Sequence, residues 1–201
     1  MLHIIKTEIV FKENIKISTI AEGPGGFIEC ILFYLKEKNI EYNNCYGITL
    51  ISNDNKIPYW NNKILNNSNV QLLYGADKTG NIYTIDNQFN IIRQLQNKIH
   101  FVTCDGGIDY SNNYNNQEIV SYDLLYSEIF LTLNVQIEGG NAVIKFFDIQ
   151  NIKTVQLLYI LSLSYETVVI YKPKMSRITN SEKYIICKNY IRKPYLINEL
   201  L

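Results

Sequence analysis

The stretch Ala21-Glu22-Gly23-Pro24-Gly25-Gly26-Phe27 sets a glycine-rich turn between a short apolar run, Ile15 to Ala21, and an amphipathic segment, Phe27 to Leu35. Glycine removes side chains where backbone must approach a ligand, and proline stiffens the turn. Taken alone, such a sequence also suits an ordinary tight turn. Three more polar loops follow apolar runs: Thr49-Leu50, the turn from Asp77 to Asn81 that contains Gly80, and Asp105-Gly106-Gly107. If the runs are parallel strands, all four loops meet at one end of a sheet, where ligands of open α/β sheets bind. A nicotinamide dinucleotide would need Gly-x-Gly-x-x-Gly and an acid about 20 residues on. Neither is present here. The turn fits a cofactor that lacks a pyrophosphate.

The elements that must position these loops follow from periodicity. Strands are expected at Ile15–Ala21, Asn44–Ile51, Val70–Tyr74, Ile99–Cys104, Ala142–Phe147, Thr167–Tyr171 and Lys183–Tyr190. Helices are expected at His3–Glu13, Phe27–Leu35, Asn87–Asn97 and Ile152–Leu163, and as one long segment over Gln117–Glu138 that Gly139-Gly140 caps. Ser52–Asn69, with Pro58 and Trp60, reads as an irregular connection with room for a short helix. Strands alternating with helices imply a mainly parallel sheet covered on both faces. The last two strands are joined by about ten loop residues, too few for a crossover, so the seventh runs antiparallel.

With 201 residues, 47% hydrophobic and 19% charged, the chain reads as one folded domain spanning residues 1–201. No apolar stretch approaches the roughly 20 residues of a bilayer span, and charged residues interrupt every candidate signal sequence near the start. No membrane association is expected. Cys30, Cys45, Cys104 and Cys187 form no Cys-x-x-Cys pair, so they read as small buried hydrophobes rather than zinc ligands or disulfides. His3 and His100 are the only imidazoles, which disfavours a histidine-based triad or metal site. Net charge is zero, yet Lys172 to Lys193 holds a basic strip, either a solvated surface or a phosphate-binding one.

Four linked motifs, in order along the chain, resemble those of the FtsJ-like S-adenosylmethionine-dependent RNA 2′-O-methyltransferases. They are Glu22-Gly23-Pro24-Gly25-Gly26-Phe27; Asp105-Gly106-Gly107 with Asn115-Asn116-Gln117-Glu118; Gly139 to Asp148 around Lys145; and Lys172 to Tyr184 around Arg177, Asn180 and Glu182. The likeness is greatest to the cap-specific mRNA branch of eukaryotes and large DNA viruses. It covers Glu22 to Tyr190 and implies a Rossmann-like methyltransferase fold.

The resemblance further implies a Lys-Asp-Lys-Glu tetrad around the reacting ribose, with Asp105, Lys145 and Glu182 as its last three members. The first lysine belongs in a helix ahead of the glycine turn, where Lys6 is the better candidate and Lys12 the lesser. S-adenosylmethionine is the implied cofactor, with Glu22, Gly23, Pro24, Gly25, Gly26, Phe27 and Asp105 toward its methionine end. Thr49, Leu50, Asp77, Gly80 and Asn81 would lie near its ribose and adenine. No metal is implied. RNA, the capped 5′ end of mRNA in this branch, would cross Lys172, Lys174, Ser176, Arg177 and Asn180, with Tyr110, Tyr114 or Trp60 for base stacking. Ribosomal or transfer RNA, and a binding subunit without turnover, are the other expectations. A capping-machinery partner and an intracellular setting, cytoplasmic, nuclear or viral, complete them.

Overall fold

The computed structural model describes residues 1–54, 57–108, 117–173 and 180–193. Its strands are β1 (Ile15–Ile20), β2 (Tyr42–Ile48), β3 (Val70–Leu73), β4 (Ile99–Cys104), β5 (Gln136–Phe146), β6 (Tyr165–Tyr171) and β7 (Lys183–Tyr190). Helices are α1 (Leu2–Glu8), α2 (Gly26–Glu37), α3 (Asn62–Leu65), α4 (Ile85–Leu95), α5 (Gln117–Val120), α6 (Tyr122–Val135) and α7 (Ile152–Ser164). The strands form one sheet in the order β3-β2-β1-β4-β5-β7-β6. β1 to β5 pair in parallel, and β7 runs antiparallel to both β5 and β6. Among the described residues no helix is long and apolar enough to cross a membrane.

Two apolar layers sandwich the sheet. Ile15, Ile17, Phe101, Val143 and Ile186 face α1, α2 and α3, while Ile20, Val102, Ile144 and Ile185 face α4, α6 and α7. Burial on both faces explains why these strands are continuously apolar rather than alternating with polar residues. The period of two then carries a consequence past the strand ends. Asp105 and Lys145 continue the row of Phe101 and Val143, toward α1 and α2. Tyr184, opposite Lys145 in the β5–β7 register, buries its ring in that same layer.

Several elements differ from expectation. α1 stops at Glu8, because Ile9 turns extended (φ −115°, ψ 130°). The segment expected as one helix over Gln117–Glu138 divides into α5 and α6, and α6 ends at Val135. Gly139 and Gly140 are not its cap. They lie inside β5, where Ile99 to Phe101 of β4 face Gln136 to Asn141, so extra residues bulge out and Gly139 takes φ +77°. Gln136 pins the start of that bulge: fully buried, it accepts the Tyr165 hydroxyl and donates to the Asn141 carbonyl at 2.8 Å.

Trp60 is also misplaced by the sequence expectation. It is 3% exposed and packed on Gly25 and Gly47, so it is closed to base stacking. A Cβ at Gly47 would come within 2.9 Å of the indole and of the Leu72 side chain. Gly47→Ala is therefore expected to cost about 1–3 kcal/mol of stability through overpacking, read as a lower urea midpoint at unchanged slope.

Candidate active site

In the sheet order, β2 and β3 lie on one side of β1 and β4 and β5 on the other, so the direction of winding reverses between β1 and β4. A crevice opens at such a point beyond the strand ends. The glycine turn follows β1 and Asp105-Gly106-Gly107 follows β4, so both border it.

The glycine turn is held from within. Gly25 sits at φ +110° just ahead of α2, a backbone state that disfavours other residues. A Cβ there would lie 2.6 Å from Ile64, and one on Gly23 would lie 2.4 Å from the Pro58 carbonyl oxygen. These two glycines thus admit the Pro58–Ile64 connection against the turn. Gly26 has nothing within 4 Å of its Cβ position and is exposed, so it is the glycine that is open to a ligand. The Gly23 N–H donates to Thr49 Oγ1 at 3.1 Å, which ties the β1 turn to the end of β2.

Glu22 is 2% exposed, and its carboxyl accepts the backbone N–H groups of Phe27 and, at 3.3 Å, Ile28. Free amides at a helix N-terminus are where a phosphate would bind. Two of those at the start of α2 are already taken by an acid of the chain itself. Burial pushes the Glu22 carboxyl up to about 7 against the pull of these hydrogen bonds, and the Asp105 charge adds to the rise.

Beyond β2 and β3, Thr49 is buried and Leu50 half-buried. Gly80 passes so close to Thr49 that a Cβ would lie 1.9 Å from the Thr49 carbonyl oxygen. Asp77 works inside its own turn, with Oδ1 accepting Thr79 N–H, Thr79 Oγ1 and Asn87 Nδ2 at 2.8, 2.7 and 2.8 Å. Those bonds hold its carboxyl below the usual range. Asn81 Oδ1 accepts Tyr83 N–H at 2.9 Å.

At the end of β4, Asp105 Oδ1 lies 3.2 Å from Lys145 Nζ, and the same amine donates to the Asp105 carbonyl oxygen at 2.8 Å. The Lys145 side chain is 12% exposed, with the Phe147 ring 5.8 Å from its amine. Burial raises the Asp105 carboxyl; Lys145 opposes this rise and Glu182 adds to it. Glu182 Oε1 accepts the Tyr184 hydroxyl at 3.1 Å. Tyr184 is the strand neighbour of Lys145, so it links Glu182 to the pair. Gln117, from the second motif, accepts Ser181 Oγ at 3.0 Å and so braces the Glu182 loop.

Lys6 is not brought to this group. It lies exposed in the last turn of α1, while Ile4 and Ile5 face the core. Lys12 is exposed as well. Of the RNA-contact candidates, Lys174, Ser176 and Arg177, with Tyr110 and Tyr114, lie outside the described residues. Lys172 Nζ donates to the carbonyl oxygens of Asn180 and, at 2.6 Å, Glu182, so it shapes the loop that presents Glu182.

The sequence model of the FtsJ-like methyltransferases matches residues 1–190. The chain belongs to that family. A protein of Autographa californica nuclear polyhedrosis virus named cap-specific mRNA (nucleoside-2′-O-)-methyltransferase is 34% identical over 181 residues, covering 89% of this chain and 66% of that one. A mouse protein of the same name, numbered 1, is 33% identical over 188 residues, covering 84% of this chain and 20% of its own length. This FtsJ-like methyltransferase thus spans just under two thirds of the viral relative and a fifth of the mouse one. Among solved structures, a Plasmodium falciparum protein described as a ribosomal RNA methyltransferase superposes with a TM-score of 0.68 at 22% identity, over 96% of this chain and 95% of that one. Spermidine synthase from Thermotoga maritima reaches 0.53 at 11% identity, over 90% of this chain and 55% of its own. Both bear on the fold.

Glu22 makes stability depend on pH in a definite direction. A carboxyl whose folded value lies above its unfolded one contributes most below the unfolded value, near 4.5, and that contribution is lost as pH rises through about 7. Glu22→Gln keeps an acceptor for the two amides and removes the titration. Between pH 5 and 7.5 its unfolding free energy should fall less steeply than that of the wild type, by at most about 1.4 kcal/mol per pH unit. Urea titrations at both pH values measure this, and parallel slopes would contradict the assignment.

Proposed function

We propose that this FtsJ-like methyltransferase moves a methyl group from S-adenosylmethionine to a ribose 2′-hydroxyl of RNA, at a cap-proximal nucleotide of mRNA. The observation that carries the reading is the Lys145 amine, 3.2 Å from Asp105 Oδ1 and 2.8 Å from its carbonyl oxygen, at the carboxyl ends of β5 and β4. The names of the viral and mouse relatives, both cap-specific mRNA (nucleoside-2′-O-)-methyltransferases, support the capped mRNA substrate.

The residues present fit the cofactor. With two α2 amides filled by Glu22, and with Asp105 across the crevice, the cradle suits a cation better than a phosphate. Gly26, Thr49, Leu50, Asn81 and Asp105 would hold it, alongside Pro24 and Phe27, while Glu22, Gly23, Gly25, Asp77 and Gly80 shape the loops. Bound there, S-adenosylmethionine supplies an electrophilic methyl on a sulfonium. Displacement at that carbon needs the ribose oxygen in line and its proton weakened.

Lys145 is the group that we assign to the ribose hydroxyl. Asp105 fixes its amine through both the carboxylate and the main-chain carbonyl, and Glu182 adds a second acid whose charge reaches Asp105. The use of Lys145 as a proton acceptor depends on how these neighbours hold its charge. RNA would pass over residues 172–180, where Lys172, Lys174, Ser176, Arg177 and Asn180 would provide the phosphate contacts.

One observation favours a second reading, a subunit that binds RNA and S-adenosylmethionine without turnover. Among the described residues no lysine ahead of Glu22 lies within 4.0 Å of Asp105. Labelled methyl transfer to capped, uncapped and ribosomal RNA separates the readings. Lys145→Ala should abolish transfer to capped RNA while S-adenosylmethionine still binds. Lys6→Ala should retain activity within about threefold, as expected of an exposed side chain away from the reacting groups. Full activity in Lys145→Ala would end the catalytic assignment.

A further inference from the structure

One buried acid lies beneath the proposed reacting groups without a part in the reaction. Glu128 sits on α6, on the opposite side of the sheet from Asp105 and Lys145, and is 2% exposed. Its Oε1 reaches past the end of β4 and accepts the Gly106 N–H at 2.9 Å. The fit there is close: a Cβ on Gly106 would stand 2.5 Å from that oxygen and 2.8 Å from Leu124. The peptide that Glu128 grips directly follows Asp105, whose carboxylate and carbonyl both hold Lys145.

The electrostatics reach across the same turn. The groups facing Glu128 are Asp105 and Cys104 from β4 and Lys145 from β5. Burial pushes its carboxyl up to about 8; the Gly106 N–H and the Lys145 charge draw it down, and the Asp105 charge raises it. A neutral Glu128 accepts the Gly106 N–H without adding a second negative charge beside Asp105.

We propose that Glu128 is a positioning residue for the Asp105–Lys145 pair: it fixes the Asp105-Gly106-Gly107 turn through the Gly106 N–H, and so holds the carboxylate and carbonyl that grip the Lys145 amine. The mechanistic meaning of this role rests on the methyl-transfer reading above. The contact does not.

The test uses the full chain with Glu128→Gln and Glu128→Leu. Glu128→Gln keeps an oxygen for Gly106 and cannot ionise. Hydrogen exchange at the Gly106 amide should stay slow in Glu128→Gln and accelerate in Glu128→Leu. On capped RNA, Glu128→Gln should keep kcat within about threefold at pH 7. Glu128→Leu should lose roughly 10–100-fold in kcat with KM for S-adenosylmethionine little changed, the scale of a small misplacement of reacting groups. A Gly106 amide that exchanges no faster in Glu128→Leu than in the wild type would overturn the proposal; if Glu128→Leu fails to fold, a Gly106 amide that exchanges freely in the wild type would overturn it. Absent methyl transfer by the wild type would overturn the functional reading instead, while exchange at Gly106 would still report on Glu128.

Discussion

The pairing of Lys145 with Asp105 depends on the register between β4 and β5, and much of the molecule serves to maintain that register. Cys104 stands opposite Ile144, so the next residue of each strand emerges at the same level and on the same side. The bulge between Gln136 and Asn141 is what allows this alignment: without the extra residues, a different part of β5 would face the end of β4. β7 then fits against the far side of β5 in the opposite direction and brings Tyr184 opposite Lys145. Three strands from distant parts of the chain thus meet at one lysine.

Burial of charge is the cost of that arrangement. Asp105, Glu22 and Glu128 all lie in surroundings that raise their carboxyls, and each is held by donors from the main chain or by Lys145. Removing one donor from such a set leaves an acid without compensation, which is worse than never burying it. The glycines at positions 106 and 23 belong to the same economy of space, since each lets backbone come close to a polar partner. Rigidity at the strand ends follows from these contacts rather than from the loops' own sequence.

The strands, their direction and the antiparallel seventh are legible from apolar runs bounded by turn residues, because burial on both faces leaves so plain a pattern. Convergence of the four loops follows from that topology. Other features are not legible at that level. Gly139-Gly140 reads equally well as a helix cap or a bulge, and the choice is made by Gln136, whose partners Tyr165 and Asn141 are tertiary. Trp60 reads as an aromatic in a polar loop, but Gly25 and Gly47 leave room to bury it. Glu128 is hidden in the apolar stripe of α6, where a lone acid at i, i+4 spacing from Leu124 looks like a boundary residue. Its one signal is that it shares the face of Leu124 and Leu131, both buried.

Lys6 shows why residue type near a motif is a weaker guide than helical phase. In α1, Met1 and Ile5 are joined by an i, i+4 backbone hydrogen bond at 3.1 Å, so they share a face, and Ile5 is fully buried. Lys6, one residue on, is turned about 100° away from that face. The same geometry bears on the cofactor cradle. α1 packs beside α2, whose first amides are already satisfied by Glu22, so that helix start has little to offer a phosphate. The buried Glu22 spends its acceptor capacity on its own chain, and the turn is thereby fixed by the strand end and the helix it joins.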